Sequence, residues 1–258
     1  MTETIRGPAR GPLRRSLESL YGVYALLQFG VLCLLALLAV TAIPGAGRRS
    51  RVVSAIVRTS FRLAGTEPEI RGIGNLPEQS CVLVANHASY LDGLLLKGFM
   101  PGNFAFVIKG EMRGIPIVHF LLRRSGSRFV ERFEAAASAR DARRIVKAAQ
   151  QGESLGFFPE GTFRRYPGVG RFHKGAFAAA VKGQLPVVPI AILGTRWILP
   201  AGRRLPRHGG IRIEILPAIM PDDPIFDDKT SLAETARQRI ITALGEPDLL
   251  QEPRQASS

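Results

Sequence analysis

The chain has 258 residues, room for one sizeable folded domain and an appendage, and 46% of them are hydrophobic, too many for a disordered polymer. A formal net charge of +14 calls for an anionic partner, surface or substrate. The two cysteines, Cys33 and Cys81, lie inside apolar runs, and the four histidines are too scattered for metal-ligand spacing, so a disulfide framework and a zinc site are excluded.

Residues 1–64 hold half of the excess charge, nine arginines against Glu3 and Glu18. These flank an uncharged segment, 21–43, that ends at Pro44-Gly45 and is long enough to cross a bilayer core. It is also longer than the ~7–15 apolar residues of a cleaved signal peptide. Basic flanks on a greasy run suit a membrane surface better than a nucleic acid, and no nucleic-acid-binding motif is present. Both flanks are arginine-rich, so charge does not choose a side. In 51–63, Arg51, Arg58 and Arg62 share one helical face while Val52, Val53, Ile56 and Val57 point largely away, the pattern of an interfacial amphipathic helix. Residues 16–64 therefore read as a two-helix membrane anchor that enters without crossing.

Beyond residue 70, short apolar runs alternate with helical patterns, which predicts an α/β domain with a mixed sheet flanked by helices. Strands are expected at 81–85, 104–108, 128–132, 155–158, 187–193 and 211–216, and helices at 90–98, 134–150, 174–182 and 232–244. Ser231-x-x-Glu234 offers a capping box for the last helix. The chain thus divides into membrane-associated helices (1–64), the α/β domain (65–246) and a disordered tail (247–258).

The first chemical signal is Asn86-His87-Ala88-Ser89-Tyr90-Leu91-Asp92, directly after the first expected strand. Residues five apart on one helix point about 140° away from each other. His87 and Asp92 meet only if His87 sits in the turn and the helix starts near Ser89, with Ser89-x-x-Asp92 as its cap. A carboxylate then fixes the imidazole tautomer and leaves the other nitrogen as a base. The alternative is a structural turn histidine beside a capping aspartate. The second signal is Phe157-Phe158-Pro159-Glu160-Gly161-Thr162 at a strand end, where ligand sites of α/β sheets concentrate, with Arg164, Arg165, Arg171 and Lys174 following.

Taken together these residues resemble the phospholipid/glycerol acyltransferase family, which includes lysophosphatidic acid acyltransferases. Asn86-His87 through Asp92 matches its first block and Ser125–Arg132 resembles the second. Phe158-Pro159-Glu160-Gly161-Thr162 matches the third and Val187-Val188-Pro189-Ile190 the fourth, all in order over about residues 65–220. The resemblance implies an N-terminal membrane-associated two-helix element. It implies His87 as the base that deprotonates an acceptor hydroxyl, Asp92 as its orienting partner, and Lys109 and Arg132 as basic residues of the acceptor site. Glu160, Gly161 and Thr162 correspond to the acceptor-binding block. The family often has arginine after this threonine; here it is Phe163, with Arg164 or Arg165 as substitutes.

The implied reaction joins a fatty acyl thioester, acyl-CoA or acyl carrier protein, to a lysophospholipid hydroxyl. The most direct acceptor is 1-acylglycerol-3-phosphate; lyso-ornithine lipid and lysophosphatidylethanolamine are alternatives. A thiol of pKa about 8.5 leaves without strong acid help, so one oriented imidazole suffices, with no metal, cofactor or covalent intermediate. The expected location is the cell membrane, with the catalytic domain on the cytoplasmic face beside its donor. A rival reading is Gly152-Glu153-Ser154-Leu155-Gly156 as a serine-hydrolase elbow, which needs strand then helix where the pattern here gives helix then strand. A second rival is a basic lipid-binding protein without chemistry.

Overall fold

The computed structural model describes residues 12–101, 104–109, 116–130 and 135–251. Its seven strands form one sheet in the order β1 (Glu69–Arg71), β7 (Arg212–Ile215), β6 (Val187–Leu193), β2 (Val82–Ala85), β5 (Leu155–Phe157), β3 (Ala105–Lys109) and β4 (Arg128–Val130). Every neighbouring pair is parallel except β6–β7, so the sheet is mixed as expected. Successive side chains of central β2 serve opposite cores, as a period of two requires. Val82 and Val84 pack with Phe177, Leu232 and Ile240, from α6 (Gly175–Gly183) and α8 (Lys229–Leu244), joined by Ala149 of α5 (Ala135–Gln150). Leu83 and Ala85 pack on the other face with Leu95 of α3 (Asp92–Phe99) and with Val53, Val57 and Phe61 of α2 (Ala46–Leu63).

That last contact corrects one expectation. The periodicity of α2 is as predicted, but its apolar stripe, Val53, Val57 and Phe61, is buried on the α/β domain. Gly98 of α3 lets it approach: a Cβ there would lie 2.7 Å from Val57 Cγ1. The amphipathic pattern says that one face is covered, not what covers it.

The long apolar helix is instead α1 (Pro12–Ala42), whose 27-residue stretch Ser16–Ala42 is long and apolar enough to cross a membrane. Leu20, Leu27, Val31 and Leu34 lie on its exposed side. Its other side is tied down at both ends. The Tyr21 hydroxyl donates to Ala64 O at 2.8 Å, and Val40 O accepts from Arg124 Nη2 at 2.8 Å.

Among the described residues four elements had no sequence expectation: β1, the short 3-10 helix Ile73–Asn75, α4 (Pro116–Arg124) and the one-turn α7 (Thr195–Ile198). α8 starts earlier than predicted because Asp228, and not the Ser231/Glu234 box, caps it, accepting from Thr230 N and Ser231 N at 3.0 and 3.1 Å. The expected disordered tail is also corrected. Residues 247–251 dock on the domain, with Val169 N donating to Pro247 O and Leu249 N to Val169 O, while 252–258 lie outside the described residues.

Candidate active site

β2 and β5 are paired in parallel with Val84 opposite Phe157, so the chain leaves their C-terminal ends side by side. This brings the 86–92 turn against the 158–162 loop. Asn86, buried, behaves like one more strand residue: its Nδ2 donates to Ile192 O at 3.0 Å and its Oδ1 accepts from Ile192 N at 2.7 Å. That exchange clamps the end of β2 to β6 just before the chain turns.

α3 begins at Asp92, two residues later than expected and with Leu91 and not Ser89 at its N-cap, and His87 stands outside the helix as the spacing argument required. Asp92 is fully buried and turns one oxygen, Oδ2, back on three donors: His87 Nδ1 at 2.9 Å, Ala88 N at 2.7 Å and Ser89 N at 2.8 Å. A carboxylate only accepts, so the imidazole hydrogen sits on Nδ1 and Nε2 keeps its lone pair. The ring stacks on Phe158 with centroids 4.4 Å apart and meets Phe163 edge-on at 4.6 Å. The Ser89 hydroxyl donates to Leu199 O at 2.7 Å, tying the turn to the segment after β6.

Glu160 holds the turn from the opposite side. Its Oε1 accepts from the His87 backbone N at 2.9 Å and its Oε2 from Gly170 N at 2.9 Å. Burial raises its carboxyl above the ordinary range, and the two backbone donors and the nearby His87 and Arg196 work against that rise. Gly161 follows at φ +75°, a left-handed turn suited to glycine, with its N–H on Phe158 O at 2.9 Å. A histidine oriented through Nδ1 by a buried carboxylate, at the mouth of two parallel strands, presents Nε2 outward, where it can take a proton from a hydroxyl.

The acyltransferase family profile matches residues 67–193, which include Asn86, His87, Asp92, Glu160, Gly161 and Gly170. A lyso-ornithine lipid O-acyltransferase of Pseudomonas aeruginosa is 30% identical over 200 residues, 71% of this chain and 75% of that protein. The chain belongs to the acyltransferase family. A chloroplastic 1-acyl-sn-glycerol-3-phosphate acyltransferase of Brassica napus is 32% identical over 180 residues, 68% of this chain. The chain spans about half the length of that plant relative, 50%. A crystal structure of a 1-acyl-sn-glycerophosphate acyltransferase from Thermotoga maritima shares the fold, with a TM-score of 0.76 at 23% identity, covering 89% of this chain and 95% of that one.

The remaining residues of this acyltransferase-family site divide into three groups. Lys109 ends β3 in register with Val130, and Arg132 lies outside the described residues. Thr162 is exposed beside the His87 turn. Phe163 occupies the position after it and packs on both His87 and Tyr90, the latter at 4.7 Å, so an aromatic ring stands where the family often has a guanidinium. Arg164 reaches the Tyr166 hydroxyl at 3.0 Å, and the Arg165 guanidinium lies beside Gly202.

Ser154 is in the wrong setting for a nucleophile elbow: Gly152, at φ +74°, ends α5, and β5 begins just after the serine. Three positioning residues escaped the sequence reading. Asn86 lay inside the first block without an assigned role. Arg196, which donates to Arg164 O at 2.8 Å and Tyr166 O at 2.7 Å, and Arg237, which donates to Gly170 O at 2.8 Å, act on segments distant in sequence and carried no local signal.

Proposed function

We propose that the chain transfers a fatty acyl group from a thioester donor, acyl-CoA or acyl carrier protein, to the free hydroxyl of a lysophospholipid, with 1-acylglycerol-3-phosphate as acceptor and phosphatidic acid as product. The observation that carries this reading is the 2.9 Å contact between His87 Nδ1 and the buried Asp92 Oδ2. His87 Nε2 takes the hydroxyl proton as the oxygen attacks the thioester carbonyl. The tetrahedral intermediate collapses with loss of the thiolate, which takes that proton back from the imidazolium. Asp92 stabilises the transient cation and keeps the tautomer. Lys109 and Arg132 are assigned to the acceptor phosphate, with Gly161 and Thr162 forming the loop edge next to the base. Glu160 is assigned as the positioning residue of the His87 turn. The reaction takes place at the membrane, on the cytoplasmic face where thioester donors occur, with α1 as the attachment.

One observation favours a second acceptor. Phe163 against His87 removes a cation from the phosphate side of the site, which suits a lysolipid without a free phosphate, such as lyso-ornithine lipid. The test is one panel: purified protein with acyl-CoA and acyl carrier protein donors against lysophosphatidic acid, lysophosphatidylethanolamine and lyso-ornithine lipid. His87→Ala should lose at least ~10²-fold in rate on whichever pair is used, the usual minimum for a removed general base. Residual transfer above about a tenth of wild type would reject His87 in that role.

A further inference from the structure

Away from His87, beside the α7–β7 loop, lies a cavity of about 430 Å³ lined by Arg165, Gly202, Arg203, Arg204, Leu205 and Arg207. Its size falls in the ~300–1,000 Å³ range of small-ligand sites, and four of its lining residues are arginines, which carry charged heads on apolar stems. The guanidinium of Arg165 lies over Gly202, where an added Cβ would come within 3.7 Å of its Cζ. Arg203 is braced by its Nε donating to Leu205 O at 2.6 Å. Arg207 stacks over the Trp197 ring at 4.7 Å and approaches Glu18 at 3.9 Å. Four arginines thus line one cavity with a single carboxylate, Glu18, near one of them, and planar guanidinium forks match the oxygens of a phosphate.

The surroundings say where that phosphate comes from. α1 is seated on this loop: a Cβ at Gly22 would lie 2.9 Å from Leu205 Cβ, and the Tyr21 ring meets His208 edge-on at 5.5 Å. On the outer side of the same turns, Leu17, Leu20 and Tyr24 are exposed, and so is Trp197 beside Arg207. Exposed leucines, ring residues and a basic pocket at one level are the composition of a membrane–water interface. Residues next to the lining in sequence reach the 86–92 turn. Leu199, just before the lining, accepts from the Ser89 hydroxyl at 2.7 Å, and Arg165 follows the Phe163 ring that packs on His87.

We propose that the Arg165/Arg203/Arg204/Arg207 pocket binds the phosphate of an anionic membrane phospholipid at the foot of α1, next to the path by which the lysolipid acceptor enters. The inference rests on the reading of α1 as a membrane element. The ligand class is a lipid phosphate ester, and the source is a resident bilayer lipid and not the acceptor itself.

The test uses the full chain and two vesicle compositions, neutral phosphatidylcholine and phosphatidylcholine with one-third phosphatidylglycerol, at fixed ionic strength. Each arginine near an anionic surface is worth roughly a fivefold gain in binding. Arg203→Gln/Arg204→Gln should therefore remove most of the preference for anionic vesicles while leaving neutral-vesicle binding as in wild type. Arg204 is exposed, and changing it alone spares the Arg203–Leu205 brace, so Arg204→Gln should lose about fivefold without risk to the fold. Arg140→Gln/Arg143→Gln on α5 is the control. An anionic preference that survives in the pocket variants, or that falls as much in the α5 control, overturns the proposal. So does a tenfold rise in lysophosphatidic acid KM in neutral micelles with vesicle preference intact, since the pocket would then be an acceptor site. Failure of wild type to bind neutral vesicles would instead reject the membrane reading of α1, and the anionic comparison would still decide the pocket.

Discussion

Burial pushes the Glu160 carboxyl upward, yet both of its oxygens are held by backbone N–H groups, one of them from His87 itself. A glutamine there accepts from one of those donors and presents an NH₂ to the other, leaving a buried N–H unpaired at a cost of about 1–3 kcal/mol. The strain falls on the turn that carries His87, the proposed base, and misplacing a reacting group by ~1 Å costs on the order of 10²-fold. Glu160→Gln should therefore lower kcat by roughly 10–100-fold with acceptor KM little changed. A rise in acceptor KM at constant kcat would make Glu160 a substrate contact instead. The contrast with Asp92 explains what the sequence could reveal at this scale. His87 and Asp92 are five residues apart, so helix geometry alone restricts how they meet. Glu160 reaches His87 N across 73 residues, a contact that exists only because β2 and β5 are neighbours. Its block was visible, but its partner was not.

Periodicity identified α2 as an amphipathic helix, and the same periodicity left open whether protein or lipid covers it. The deciding facts are tertiary: Gly98 beneath Val57, and Lys97, whose Nζ donates to Ser50 Oγ of α2 at 2.7 Å and to Ser125 O after α4 at 3.2 Å. Burial pushes the Lys97 ammonium down to about 8 from its ordinary 10.5. Between those values the unfolded chain holds a proton that the folded one has shed, so stability rises with pH across that window. The slope is at most ~1.4 kcal/mol per pH unit for one group, a few degrees in melting temperature for a protein of this size. Measured in detergent at pH 7.5 and 9.5, wild type should gain on Lys97→Met as pH increases. A constant or shrinking difference would mean that Lys97 stays charged in the folded protein. β1 and α7, at three and four residues, escaped for a simpler reason: neither is long enough to establish a period.

At the scale of the whole molecule, the docked tail and the active site belong to one chain of contacts. Arg237 of α8 is 1% exposed; its Nε donates to Gly170 O at 2.8 Å, its Nη2 to Val169 O at 3.2 Å, and its guanidinium pairs with Asp248 of the tail. Gly170 N in turn donates to Glu160, and Glu160 accepts from His87 N. A buried arginine in a polar helix looks like any surface arginine in the sequence, so neither the docked tail nor this relay was legible there. Removing one partner of a buried pair costs about 3–5 kcal/mol, because the other is left uncompensated. Arg237→Met should then lower the melting temperature by about 10 °C. The same variant, assayed well below that temperature, should lose kcat while keeping its KM values, because the 168–170 loop no longer supports Glu160. Asp248→Asn keeps the side-chain volume and a hydrogen-bond acceptor, so it should fall between wild type and Arg237→Met in both measurements. A folded Arg237→Met protein with wild-type kcat would show that Glu160 holds the turn without help from α8.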